Sequence, residues 1–230
     1  MRKERIAVIL VRPEKPENIG LVARNMKNTG FENLRIVKEG RLDLKSYVTA
    51  VHAQDILDKA KFFANINEAT QDLELIFAST SKKRKNFSFI PLKDVIERML
   101  EFPLSTKVGF LFGNERTGLT SKELQNSNFR FTIPQAAKQP SYNLASAVLI
   151  TLFQLFTLDF HEEGVIQEKP LSRKEQMECL DLILNKLKKR KFIHRANEQH
   201  MTERIYDLLG RLSLSSRDRN LLLALFSKGL

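Results

Sequence analysis

Apolar positions along the chain follow two alternating rhythms. Short apolar runs at 6–11 (IAVILV), 34–37, 73–78, 108–112 (VGFLF) and 129–133 predict strands. Their length and their β-branched and aromatic content fit strands covered on both faces, as in a parallel sheet. Between them apolar residues recur at helical spacing. Ile19, Val22, Ala23 and Met26 share a face, with Arg24 and Lys27 on another, Asn18 at the N-cap and Asn28-Thr29-Gly30 at the end. The span 50–63 is helical in period, with Val51, Ile56, Leu57 and Ala60 inward, and Pro91 opens a helix to about residue 101. The span 144–160 is apolar almost all round: Leu144, Val148, Leu152 and Leu155 form one stripe, with Ala145, Leu149, Phe153 and Phe156 beside it. Such a helix needs two burial partners, one of them its own sheet. The alternation predicts an α/β fold with a mostly parallel sheet flanked by helices.

Beyond residue 160 the pattern lapses into Glu162-Glu163-Gly164 and Gln167-Glu168-Lys169-Pro170. Three helical segments follow: 172–191, 201–209 with Gly210 as a stop, and one from the Ser215-Ser216-Arg217-Asp218 cap to 226. The expected division is a main domain at 1–161, a linker at 162–170 and a helical extension at 171–230.

The candidate chemistry lies where strands end. The run 108–112 stops at Gly113-Asn114-Glu115-Arg116-Thr117-Gly118, a polar turn at a strand's carboxyl end, where open α/β sheets take their ligands. The glycine spacing resembles a phosphate loop, but Leu119 stands where the lysine must be, which excludes a nucleoside triphosphatase. No G-x-G-x-x-G follows any strand, so the common dinucleotide fingerprint is missing too. The 129–133 run ends at Pro134, and Ser141-Tyr142-Asn143 then opens the long apolar helix. The 73–78 run ends at Ser79-Thr80-Ser81, followed by Lys82-Lys83-Arg84-Lys85.

Charge adds a partner class. The 38 basic residues exceed the 27 acidic ones, for a net charge of +11, which favours an anionic partner. The clusters at 82–85 and at Lys186, Lys188, Lys189, Arg190, Lys191 and Arg195 are either solvated faces or contacts to RNA phosphates, where each neutralised phosphate releases counterions. Cys179 is the single cysteine and the four histidines have no metal-ligand spacing, so neither a disulfide nor a metal is expected. No run has the length of a signal-peptide core or a membrane span, and a cytoplasmic protein is expected.

Three blocks together carry a family likeness: PENIGLVARNMKNTGF (16–31), FLFGNERTGL (110–119) and IPQAAKQPSYNLASAV (133–148). In order, spacing and residue type they resemble the SPOUT superfamily of RNA 2′-O-ribose methyltransferases, TrmH/TrmJ-like, whose cofactor is S-adenosylmethionine. The resemblance implies a trefoil-knotted sheet and a homodimer formed through the 144–160 helix. It implies cofactor contacts from Ser79, Thr80, Ser81, Gly113, Ile133, Ser141, Tyr142 and Leu144; the family usually has leucine at the position of Tyr142. It implies catalytic roles for Arg24, Glu115, Asn18 and Asn143. Arg24 is nominated as base or as clamp, and a guanidinium keeps its proton far above neutral pH, which favours the clamp. Asn18 serves as a cap or contacts the ligand. The basic tail resembles the TrmJ branch, which methylates nucleotide 32 of the tRNA anticodon loop, and implies RNA binding by Lys82, Lys83, Arg84, Lys85, Lys188, Lys189, Arg190 and Lys191. Ribosomal RNA as substrate, or RNA binding without chemistry, are the competing readings; the latter gives no purpose to the 113–118 loop. DNA lacks the 2′-hydroxyl and is not expected as a partner.

Overall fold

Alternate residues of the first strand enter opposite cores: Ile6, Val8 and Leu10 one, Ala7, Ile9 and Val11 the other. Burial on both faces is what their unbroken hydrophobicity demands. The computed structural model describes residues 3–81, 87–136, 141–157 and 168–227. Strands β1 (Ile6–Val11), β2 (Asn33–Val37), β3 (Lys61–Phe63), β4 (Leu75–Ser79), β5 (Ile90–Pro91), β6 (Val108–Phe112) and β7 (Phe129–Thr132) form one sheet in the order β3-β2-β1-β6-β4-β7-β5. Every pairing is parallel.

Helices α1 (Pro16–Thr29), α2 (Leu44–Ala50), α3 (Gln54–Asp58), α5 (Leu92–Leu100) and α7 (Leu144–Phe156) supply residues to one core. The second core is smaller and is closed by α4 (Ile66–Thr70) and α6 (Ser121–Leu124). Each fully buried Leu, Ile or Phe side chain contributes about 1.5–3 kcal/mol. Among the described residues, no helix is long and apolar enough to cross a membrane and no cluster of three acidic, His or Cys side chains could hold a metal ion.

Local structure departs from the periodic reading in four places. Asn18 is not an N-cap: α1 starts at Pro16 after Lys15, and Asn18 is buried within its first turn. The expected helix at 50–63 is instead the end of α2, the short α3 and the edge strand β3. Asp43 starts α2 early by accepting from the Lys45 N–H at 2.8 Å, and Val51, at φ +54°, breaks the chain. Helix α2 lies against Gly20 of α1, where a Cβ would come 2.1 Å from Ser46 O and Thr49 Oγ1. The 73–78 strand is shifted to Leu75–Ser79.

The fourth departure concerns α9 (Glu198–Arg211), which runs through Gly210 rather than stopping there. Gly210 admits close approach: a Cβ would lie 3.3 Å from Ser127 O, and its carbonyl accepts from Asn128 Nδ2 at 3.1 Å. That contact belongs to a polar interface joining α8 (Arg173–Lys189) and α9 to the sheet, while α10 (Ser216–Ser227) packs on α8. Arg130, on β7, is fully buried; it donates to Asp207 at 3.0 Å and to the carbonyls of Leu124, Ser127 and Asn128. Burial pushes its guanidinium down to about 10 while Asp207 opposes the fall. Asp207 also accepts from Ser88 N and Arg211 Nε. Removing one partner of a buried pair leaves the other uncompensated. Asp207→Ala is therefore expected to destabilise the protein by about 3–5 kcal/mol in urea unfolding, and the added change Arg130→Met to recover much of that loss.

Candidate active site

Three polar segments distant in sequence meet at the carboxyl end of β6. The turn after that strand is built by Asn114, whose Oδ1 accepts from the N–H of Arg116 and of Thr117, each at 3.0 Å. Its Nδ2 donates to Arg12 O at 3.0 Å, which ties the turn to the segment after β1. Gly118 closes the turn at φ +66°, a conformation that suits glycine. Gly113 is needed for a different reason: a Cβ there would lie 2.4 Å from Gly118 C and Leu119 N.

This turn presents Glu115 to the start of α1. Its carboxylate accepts from Glu14 N at 2.8 Å, Lys15 N at 3.1 Å and Asn18 Nδ2 at 2.9 Å. Asn18 Oδ1 accepts in turn from Asn143 Nδ2 at 3.0 Å, and Asn143 caps α7 by accepting from Ala145 N at 2.9 Å. Glu115, Asn18 and Asn143 thus form one continuous hydrogen-bonded chain. Arg24 stands outside it. Six residues beyond Asn18 it lies about 9 Å along α1, exposed, with no hydrogen bond or ion pair among the described residues.

A pocket opens beside this chain. Ser79, Thr80 and Ser81 line it from the end of β4, the 112–119 segment from β6, and Ile133, Gln135, Ser141, Tyr142, Leu144 and Ala147 from the segment leading into α7. All eight expected cofactor residues therefore share one cavity. Tyr142 fixes its own loop by donating its hydroxyl to Pro134 O at 3.0 Å. Phe112, Leu119, Gln135, Arg116, Thr117 and Ala147 also line the pocket, and only their closeness to the motif residues marked them in the sequence. Apolar side chains beside hydroxyls and one carboxylate suit an adenosine carrying a cationic sulfonium; among the described residues, one lining arginine and no lysine would serve polyphosphate poorly.

The basic residues divide. Lys188 and Lys189 end α8, Arg190 caps it and Lys191 follows at φ +61°, all exposed; Lys188 pairs with Glu198 at 2.6 Å. Lys82, Lys83, Arg84 and Lys85 lie outside the described residues.

Burial would raise the Glu115 carboxyl, but hydrogen bonds from Asn18 and from the backbone of Glu14, Glu115 and Lys15 outweigh it and hold the group below the usual carboxylate range. A lowered folded value means that its stabilisation is complete above the free carboxylate range, near pH 4.3, and vanishes as pH falls through the folded value. Glu115→Gln should accordingly melt below the wild type at pH 7, with the gap closing below about pH 4; a gap independent of pH in paired thermal melts would contradict the ionised reading.

Comparison with known proteins agrees with this geometry. Residues 5–153 match the model of the SpoU rRNA Methylase family. The tRNA (cytidine-2′-O-)-methyltransferase TrmJ of Methanocaldococcus jannaschii is 36% identical over 157 residues, covering 66% of this chain and 67% of that protein. The tRNA (cytidine/uridine/adenosine-2′-O-)-methyltransferase TrmJ of Pseudomonas aeruginosa is 27% identical over 239 residues, covering 95% and 91%. The crystal structure of TrmJ from Z. mobilis ZM4 superposes with a TM-score of 0.83 at 27% identity, over 96% of this chain and 97% of that one. Since the matched span runs from β1 through most of α7 and includes all three converging segments, the chain belongs to the SpoU rRNA Methylase family of S-adenosylmethionine-dependent RNA methyltransferases.

Proposed function

We propose that the protein transfers a methyl group from S-adenosylmethionine to the 2′-hydroxyl of a tRNA ribose, at nucleotide 32 of the anticodon loop, as a cytoplasmic homodimer. The observation that carries the reaction is the Glu115–Asn18–Asn143 chain at the mouth of a pocket suited to that cofactor. The tRNA substrate is supported by the relatives named above, one of which aligns along nearly the whole chain. The trefoil crossing implied by the family resemblance belongs to the same reading.

The cofactor supplies a methyl group already activated by its sulfonium charge. The protein's task is to align the ribose oxygen and take its proton, for which alignment alone supplies effective molarities up to about 10⁵–10⁸ M. Glu115 is ionised and partly exposed, and it receives the proton directly or through water. Asn18 and Asn143 hold that carboxylate in place and offer neutral hydrogen-bonding groups to the ribose. Ser79, Thr80, Ser81, Gly113, Ile133, Ser141, Tyr142 and Leu144 hold the cofactor.

Arg24 acts as a clamp on the phosphate beside the target ribose. It does so across a twofold interface. Leu21 on α1 and Leu149, Phe153 and Phe156 on α7 leave an apolar face exposed next to it, Phe153 by 55% and Phe156 by 48%. A face of that kind, continuous over two packed helices, supports pairing with a second copy. Residues 171–230 form an RNA-binding extension, with Lys188, Lys189, Arg190 and Lys191 as its phosphate contacts alongside Lys82, Lys83, Arg84 and Lys85.

Methyl incorporation is to be measured separately into unmodified tRNA, ribosomal RNA and DNA of matched sequence. Incorporation into tRNA that disappears when the target 2′-hydroxyl is replaced by hydrogen is expected; transfer to ribosomal RNA alone would overturn the substrate. Arg24→Lys should keep its calorimetric affinity for S-adenosylmethionine while turnover falls roughly 100-fold or more, since a point charge cannot replace a bidentate clamp; undiminished turnover would refute the clamp.

A further inference from the structure

A second concavity lies across the Asn114 turn from the cofactor pocket. It encloses about 830 Å³ at the carboxyl ends of β1, β2, β3 and β6. From β1 the chain first builds β2 and β3 on one side, then places β6, β4, β7 and β5 on the other. The groove therefore occupies the topological switch point, where an open α/β sheet offers a crevice to ligands. The cofactor pocket does not use this crevice, being centred on β4, β6 and β7.

We propose that this groove binds a nucleobase of the RNA substrate, next to the ribose that receives the methyl group; the inference rests on the reaction proposed above and adds a base-binding subsite to it. Its floor is apolar, formed by Val11, Val37 and Ile66, exposed by 1%, 5% and 7%. Its rim carries the carboxamides of Asn67 and Asn126, the latter with an Oδ1 that is buried without a hydrogen-bond partner among the described residues, and those of Asn65 and Asn114, which are bonded within their own turns. A flat face over an apolar floor with amide donors and acceptors at its edge is the environment in which splayed RNA bases are held. The volume is within the range of small-ligand sites and accommodates a nucleoside.

Charge argues against a phosphate in the same place. Arg12, Lys38 and Lys122 face Glu14, Glu39 and Glu123, so the lining is formally neutral. Arg12 is already engaged, its guanidinium donating to both Glu123 oxygens at 2.8 and 2.9 Å. A phosphate would meet three carboxylates with the lining guanidinium already paired, whereas a neutral heterocycle meets the carboxamides of Asn67 and Asn126.

The groove is mechanically joined to the reacting centre. Its wall at 12–15 is the segment whose Glu14 and Lys15 N–H groups hold Glu115, and whose Arg12 carbonyl anchors Asn114. Asn114 lines both cavities. The wall also holds strain: Arg12 sits at φ +52°, turning the chain sharply out of β1 while its N–H donates to Val37 O at 3.0 Å. A base seated here presses on the backbone that positions the catalytic carboxylate.

Two variants test this without touching the catalytic chain. Asn67 is exposed on α4, so Asn67→Trp fills the groove; Asn126→Ala removes the unpaired acceptor. Affinity for a labelled tRNA anticodon stem-loop is read by fluorescence anisotropy, and affinity for S-adenosylmethionine by calorimetry on the same samples. Asn67→Trp should weaken hairpin binding about tenfold or more, the scale of one lost base contact, with cofactor affinity unchanged. An abasic substitution stepped through the loop should find one position that costs the wild type a similar factor and at which Asn67→Trp adds no further loss. Asn126→Ala should alter the ranking of hairpins that differ in the base at that position. Unchanged affinity in Asn67→Trp, or an equal loss at every abasic position, would overturn the proposal. A wild type that binds hairpin and cofactor yet transfers no methyl sinks the proposed reaction, while the base subsite is still decided by the variant affinities.

Discussion

The Glu115 carboxylate accepts hydrogen bonds from Glu14 N, Lys15 N and Asn18 Nδ2, and through Asn18 it reaches Asn143 at the head of α7. Helix α1 has no side-chain cap of its own; a residue about 100 positions further along the chain supplies the negative group that its amino end favours. The same bonds keep Glu115 ionised in spite of partial burial. One constraint therefore fixes the spacing of three segments and the charge state of the carboxylate between them.

Around that constraint the fold places two cavities back to back. The sheet delivers its carboxyl ends to one rim, and the Asn114 turn after β6 stands between the pocket at β4, β6 and β7 and the switch-point groove. Asn114 satisfies two backbone N–H groups within the turn and bonds across to Arg12, so the partition is rigid although it is only a few residues long. Gly113 and Gly118 permit it, one by the absence of a Cβ and the other by its left-handed backbone.

The C-terminal helices pack on one another through two apolar clusters and meet the sheet through polar contacts. Arg130, Asn128, Gln176, Asp207 and Arg173 form a buried cluster between β7, α8 and α9. Arg173 is wholly enclosed without a carboxylate partner among the described residues, and burial pushes it down to about 9. Such contacts return little net stability, because desolvation offsets the attraction, yet breaking one leaves a buried group uncompensated. The basic end of α8 consequently projects from a body in fixed register with the sheet.

Residues of uniform local character announced themselves in the sequence. The continuous apolar runs could only be strands buried on both faces, and Gly113-Asn114-Glu115 could only be a turn at the end of one of them; likeness of motif then nominated Asn18 and Asn143. Periodicity misread residues whose role is set by neighbours distant in the chain. Asn18 looked like a cap because polar residues before apolar helices usually are, whereas its partner is Glu115. Gly210 looked like a helix stop, yet it serves the approach of Asn128. The run at 50–63 looked helical because nothing in Val51 announces the positive φ at which α2 ends, after packing over Gly20. Arg12 carried no motif at all, and only the sheet order brings it to the crevice. Local pattern records what a segment does with water and with its own backbone; which distant atoms satisfy its remaining donors and acceptors is settled when the chain closes on itself.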